Sequence, residues 1–98
     1  MEIIVNKNGT ELTVCPIGKL DTATSPQLQA AIDENISGVT DLTFDLKKLA
    51  YLSSAGLRVL MSSQKTMNKQ GNMRLSNVNE DIMDILDMTG LTDVFTIV

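Results

Sequence analysis

After a short opening hairpin, this chain alternates helix-like and strand-like segments three times, and that alternation leaves few architectures open. Residues 26–36, 53–71 and 79–89 repeat apolar side chains at helical spacing, whereas 40–46, 73–78 and 94–98 are short apolar runs of strand length. Successive βα units join parallel strands through right-handed crossovers. The expected fold is therefore an α/β domain with a mixed, mostly parallel sheet, an N-terminal antiparallel hairpin and helices packed on the sheet, in the order β-β-α-β-α-β-α-β. The chain of 98 residues suffices for one such core and not for two, so 1–98 is read as a single domain.

Local signals place the elements. Ile3-Ile4-Val5 and Leu12-Thr13-Val14-Cys15-Pro16-Ile17 flank Asn8-Gly9, a pair that tolerates positive φ and predicts the hairpin turn. Pro16 lacks an N–H and is expected at a strand end or edge. Ser25 is positioned to cap a helix whose first residue is Pro26, with Leu28, Ala31, Ile32 and Ile36 at helical spacing and Gly38 as a left-handed terminator. The second helix is predicted to begin near Ser53-Ser54 and to end near Gly71. Its Leu57, Leu60 and Met61 are apolar, and Ser62, Lys65 and Lys69 follow Arg58 by four, seven and eleven residues. That spacing puts three cations on one exposed stripe, either a solvated face or a landing strip for an acidic partner. Asn79 is placed to cap the third helix, which carries Ile82, Ile85 and Leu86 before Gly90. The six methionines are expected to fill gaps in the core and at its rim.

Charge and composition narrow the function. Eight basic residues against twelve acidic ones give a net charge of −4, the wrong sign for direct binding to nucleic acid. The chain has no histidine, which removes the commonest general base and any Ser-His-Asp triad, so it is not expected to be an enzyme. Aromatic residues make up only 3%, too few for a stacking platform, and no cofactor is expected. The lone Cys15 has no disulfide partner, and no apolar run approaches membrane-spanning length. A cytoplasmic protein with no direct membrane insertion is expected.

The most unusual stretch is Asp45-Leu46-Lys47-Lys48-Leu49-Ala50-Tyr51-Leu52-Ser53-Ser54-Ala55-Gly56-Leu57. Two hydroxyls sit where a loop becomes a helix, followed by small residues that let another surface approach the backbone. A plain N-cap would account for Ser53. There is no G-x-S-x-G elbow for a nucleophilic serine and no G-x-x-x-x-G-K-[ST] loop for a nucleotide, so autonomous nucleotide binding or hydrolysis is the weakest reading.

At these residues the chain resembles the STAS domain family, in particular the bacterial anti-sigma factor antagonists. The resemblance is carried by Gly18-Lys19-Leu20-Asp21-Thr22-Ala23-Thr24-Ser25-Pro26, by Phe44-Asp45-Leu46 with Leu49-Ala50-Tyr51-Leu52-Ser53-Ser54-Ala55-Gly56-Leu57, and by Gly90-Leu91-Thr92-Asp93-Val94-Phe95. It implies a STAS-like fold and a partner switch. The unphosphorylated antagonist binds an anti-sigma factor that is also a serine kinase and so frees a sigma factor; phosphorylation releases it, and a serine phosphatase restores it. Matching on Gly56-Leu57 puts the phosphate acceptor at Ser54, with Ser53 as a rival where the family usually has Asp. The implied partner-binding residues are Asp21, Ser53, Ser54, Ala55, Gly56, Leu57, Arg58 and Met61. The alternative is a STAS module that receives no phosphate and acts as a scaffold or regulatory subunit of a sensor or transporter complex.

Overall fold

The chain opens with β1 (Glu2–Asn8) and β2 (Glu11–Leu20), paired antiparallel from Glu2↔Ile17 to Asn8↔Glu11. The turn lies one residue later than Asn8-Gly9 predicts. Its two loop residues are Gly9 and Thr10, and only Gly9 has a positive φ, +62°, the pattern of a type II′ hairpin with glycine first. The computed structural model describes all 98 residues, Met1–Val98. There follow α1 (Ser25–Asn35), β3 (Asp41–Asp45), β4 (Leu49–Leu52), α2 (Ser54–Gln70), β5 (Asn72–Ser76) and α3 (Glu80–Met88).

The strand order is β1-β2-β3-β5, and β4 pairs with β2 beyond the end of β3. Every pairing except the hairpin is parallel. β2 is long enough to serve two neighbours in turn, β3 along residues 11–14 and β4 along residues 18–20. Pro16 falls in the gap between them, so it lies inside a central strand and not at a strand end or edge as expected. The Gly18 amide bonds Lys48 O at 3.0 Å, and two residues earlier the proline nitrogen faces the same side, where no ladder partner is left without a donor.

Leu12, Val14, Leu42, Phe44, Met73 and Leu75 are buried under the helices, while their neighbours Thr13, Thr43 and Arg74 are half-buried. On that second face Arg74 donates to Thr43 Oγ1 at 3.1 Å and Asp41 Oδ1 at 3.4 Å, a polar cross-strand set that suits a solvated sheet surface. Cys15 is buried and free, as a small apolar residue. Of the methionines, Met67 and Met73 complete the core, but Met61 and Met88 are 43% and 86% exposed.

Two elements differ from expectation. The four residues of β4 carry no alternation of their own, and they are a strand only because β2 offers them backbone partners. Conversely, the terminal run 94–98 is not a full strand. Val94 N donates to Leu91 O in a turn, which leaves one bridge, Leu75↔Ile97, with Leu75 N bonding Thr96 O and Val98 N bonding Leu75 O. At α1 the cap is Thr24 and not Ser25, and its side chain makes no capping bond. Its hydroxyl instead donates to Lys19 O at 2.8 Å and accepts from Asp21 N, while Ser25 is buried with its hydroxyl on Asp21 O. Gly38 has φ +78°, two residues past the C-cap Ile36. Asn79 caps α3 as expected, accepting from Ile82 N and donating to Leu49 O, each at 2.9 Å, so one side chain fastens α3 to β4.

Candidate functional site

The segment 49–62 is built by two neighbouring registers. Leu20 pairs with Leu52, and Ser53 N donates to Leu20 O at 2.9 Å, so Asp21 and Ser53 leave the sheet side by side. Ser53 is the N-cap of α2, with extended backbone and its side chain accepting from Gly56 N at 3.4 Å. It is half-buried. Ser54, the first residue of the helix, is exposed. Of the two candidate hydroxyls, Ser54 is therefore the one open to an incoming molecule, and Ser53 is engaged in capping.

Gly56 lies inside, where an added Cβ would stand 2.7 Å from both Leu20 Cγ and Leu52 Cδ1. Its small size lets the first turn of α2 sit against the ends of β2 and β4, and that contact fixes where Ser54 points. Gly56, Leu57, Val59, Leu60, Ser63 and Met67 form the buried stripe of the helix. Arg58, Met61, Ser62, Lys65 and Lys69 are exposed on the other side, so the predicted cationic stripe is a real surface.

Two open grooves flank that stripe. One, of about 710 Å³, runs from Ser54 along Leu57, Arg58, Met61 and Lys65 to a far wall of Thr89, Leu91 and Val94. The other, of about 430 Å³, lies between α2 and the start of α1, where Ala55, Arg58 and Ser62 face Thr22, Pro26 and Gln29. Arg58 and Ser62 line both. No carboxylate lines either groove, and the charged residues that do are Arg58 and Lys65. The charge is segregated along the chain: α2 carries Arg58, Lys65 and Lys69 with no acidic residue, whereas 77–98 carries Glu80, Asp81, Asp84, Asp87 and Asp93 with no cation. The structure's ion pairs, Lys47–Asp45 and Arg74–Asp41, leave Arg58 unpaired.

Asp21 is near this site but lines neither groove. Its Oδ1 accepts from Thr24 N and Ala23 N, each at 3.0 Å, and lies 3.1 Å from the Thr24 hydroxyl, whose one proton it shares with Lys19 O, closing the turn that leads into α1. The Thr24 bonds, backbone first, hold the carboxyl below its ordinary value of 3.8. A carboxyl shifted down stabilises the fold above the unfolded-state value and loses that contribution as pH falls through the lowered one. Asp21→Asn is therefore expected to flatten the acid side of the stability profile below pH 3.8, read as urea midpoints against pH. Part of the slope should persist. Burial opposes ionisation of Asp45, but bonds from Asn77 and the Lys47 amide outweigh it and keep that carboxyl low as well.

Of the eight residues expected to bind a partner, seven cluster at the first two turns of α2. Sequence reasoning missed the far wall, Thr89, Leu91 and Val94. Nothing in the sequence singles it out, because Val94 reads as part of a final strand and its exposure follows from the turn in which its amide bonds Leu91 O.

Comparison with known proteins agrees with this fold. The family model of the STAS domain matches residues 2–98. The anti-sigma-B factor antagonist of Bacillus subtilis is 30% identical over 98 residues, covering 99% of this chain and 90% of that protein. An anti-sigma factor antagonist from Mycobacterium paratuberculosis superposes with a TM-score of 0.88 at 23% identity, covering 98% of this chain and 83% of that one. The Bacillus protein SpoIIAA, at 17% identity and 99% coverage of this chain, superposes with TM-scores of 0.84 in its unphosphorylated and 0.77 in its phosphorylated form, covering 88% and 91% of those chains. With a family match across nearly its whole length and the same architecture, the chain belongs to the STAS domain family.

Proposed function

We propose that this protein is an anti-sigma factor antagonist, switched by phosphorylation of Ser54. Unphosphorylated, it binds an anti-sigma factor through the first two turns of α2 and so frees a sigma factor. The anti-sigma factor is also the serine kinase, a serine phosphatase reverses the reaction, and the cycle runs in the cytoplasm. No helix of the chain is long and apolar enough to cross a membrane. The observation that carries the reading is the exposed Ser54 hydroxyl at the mouth of a groove with apolar walls, in a chain 30% identical to a named antagonist.

The physical basis is a mismatch of charge and burial. A phosphate adds about −1.5 to −2 charges, and the N-terminal end of a helix returns only ~0.3–1 kcal/mol to such an anion. Enclosing it in a packed interface costs several kcal/mol. The interface penalty dominates, so the partner leaves without any refolding. Ser53 stands where the family usually has Asp. Both side chains are strong N-caps, so the helix start survives the exchange and only the charge is lost.

The test is the intact mass of the protein isolated from its own cells, with the modification located by fragmentation. A gain of about 80 Da on Ser54 is expected. The same gain on Ser53 would move the site, and its absence under every growth condition, with stable membership of a larger complex, would favour the unphosphorylated scaffold.

A further inference from the structure

The geometry points to Arg58 as a built-in receiver for the phosphate on Ser54, a positioning residue that pairs with the phosphoserine within α2. The inference rests on Ser54 as the modified residue and adds how the modified state is held. In the transfer itself, Ser54 Oγ forms the new P–O bond as the bond from the γ-phosphorus of ATP to its bridging oxygen breaks. ADP leaves, and the hydroxyl proton passes to a base of the kinase.

Four observations converge on the pair. Arg58 is four residues after Ser54, which puts their Cβ atoms about 5–6 Å apart on one helix face. Helical side chains lean toward the N-terminus, so the guanidinium of Arg58 reaches back over the turn that holds Ser54. Both residues are exposed and line the same groove, in which no carboxylate competes. Arg58 has no ion-pair partner, and Asp21, the acidic group at the adjoining end of β2, has Oδ1 occupied by its own turn. Lys65 is eleven residues from Ser54, about 16 Å along the axis, and cannot take the same role. The order of charges, anion first and cation one turn later, is also the favourable one for a helix.

The consequence reaches the partner surface. Arg58 lines both grooves, so its capture removes the one cation they share at the moment the phosphate arrives. The phosphate takes the start of α2 from about +1 to between about −0.5 and −1, and the pairing turns the remaining cation away from the partner and toward the phosphate.

The experiment installs phosphoserine at position 54 by genetic encoding, which needs no kinase, and follows its second ionisation by ³¹P NMR. In the parent sequence this pKa should lie about 0.15–0.4 unit below that in Arg58→Gln, from a starting value near 6. Arg58→Lys should retain part of the shift, and Lys69→Gln should match the parent. Phosphorylation should also raise the thermal midpoint more in the parent than in Arg58→Gln. Identical titrations and midpoint changes in the parent and Arg58→Gln would overturn the pairing. The two readings separate cleanly: a shifted pKa in a protein that still holds its partner removes the switch and keeps the pair, whereas release without the shift does the reverse.

Discussion

Phosphate on Ser54 is expected to weaken binding to the anti-sigma partner by two to three orders of magnitude, equivalent to ~3–4 kcal/mol of interface mismatch. Ser54→Asp should reproduce part of this loss, because it brings one negative charge where phosphate brings nearly two. Ser54→Ala removes only a hydroxyl and should bind like the unmodified protein, and it should remain bound when ATP is added. Titration calorimetry with the purified partner checks all three. Equal affinities for Ser54→Ala and Ser54→Asp would sink the switch. The fold need not change for this result, since Ser54 is exposed on the first turn of a helix whose buried stripe lies on another face.

The features legible in the sequence were those decided within a few residues. Asn79 caps α3 because its side chain reaches an amide three residues on, and Ser53 caps α2 for the same reason. The exposed run Arg58, Ser62, Lys65 and Lys69 follows from helix geometry alone. The features that were not legible depend on groups far away in the chain. β4 exists because β2 extends past the end of β3, and Pro16 is tolerated in a central strand because it coincides with that change of neighbour. The far wall of the larger groove is supplied by Leu91 and Val94, whose turn replaces most of an expected strand. The motif at 53–57 could thus be located without the structure, but the shape of the surface it presents could not.

Gly71→Ala should be the most damaging single-methyl change in the protein, and the reason is what lies opposite. A Cβ at Gly71 would stand 2.0 Å from the carbonyl oxygen of Thr40 and 2.7 Å from its carbon, and the same oxygen accepts Asn72 N at 2.8 Å where β5 begins. Backbone tied into a ladder cannot swing aside as a side chain can. The methyl must therefore push the end of α2 away from β3 and β5, and a loss of about 3 kcal/mol is expected, at the upper end of ordinary overpacking. For a domain of this size that lowers the thermal midpoint by roughly 12–24 °C. Gly56→Ala at the other end meets leucine side chains, which can rotate, so about 1–3 kcal/mol is expected there. The two glycines hold α2 close to the sheet at both ends, but only Gly56 adjoins Ser54. Calorimetric unfolding should rank Gly71→Ala as the less stable variant, while partner binding at a temperature where both remain folded should be weaker for Gly56→Ala. The reverse order of stability would mean that β5 yields more easily than the leucine-packed start of α2, and that the sheet does not fix the position of the helix.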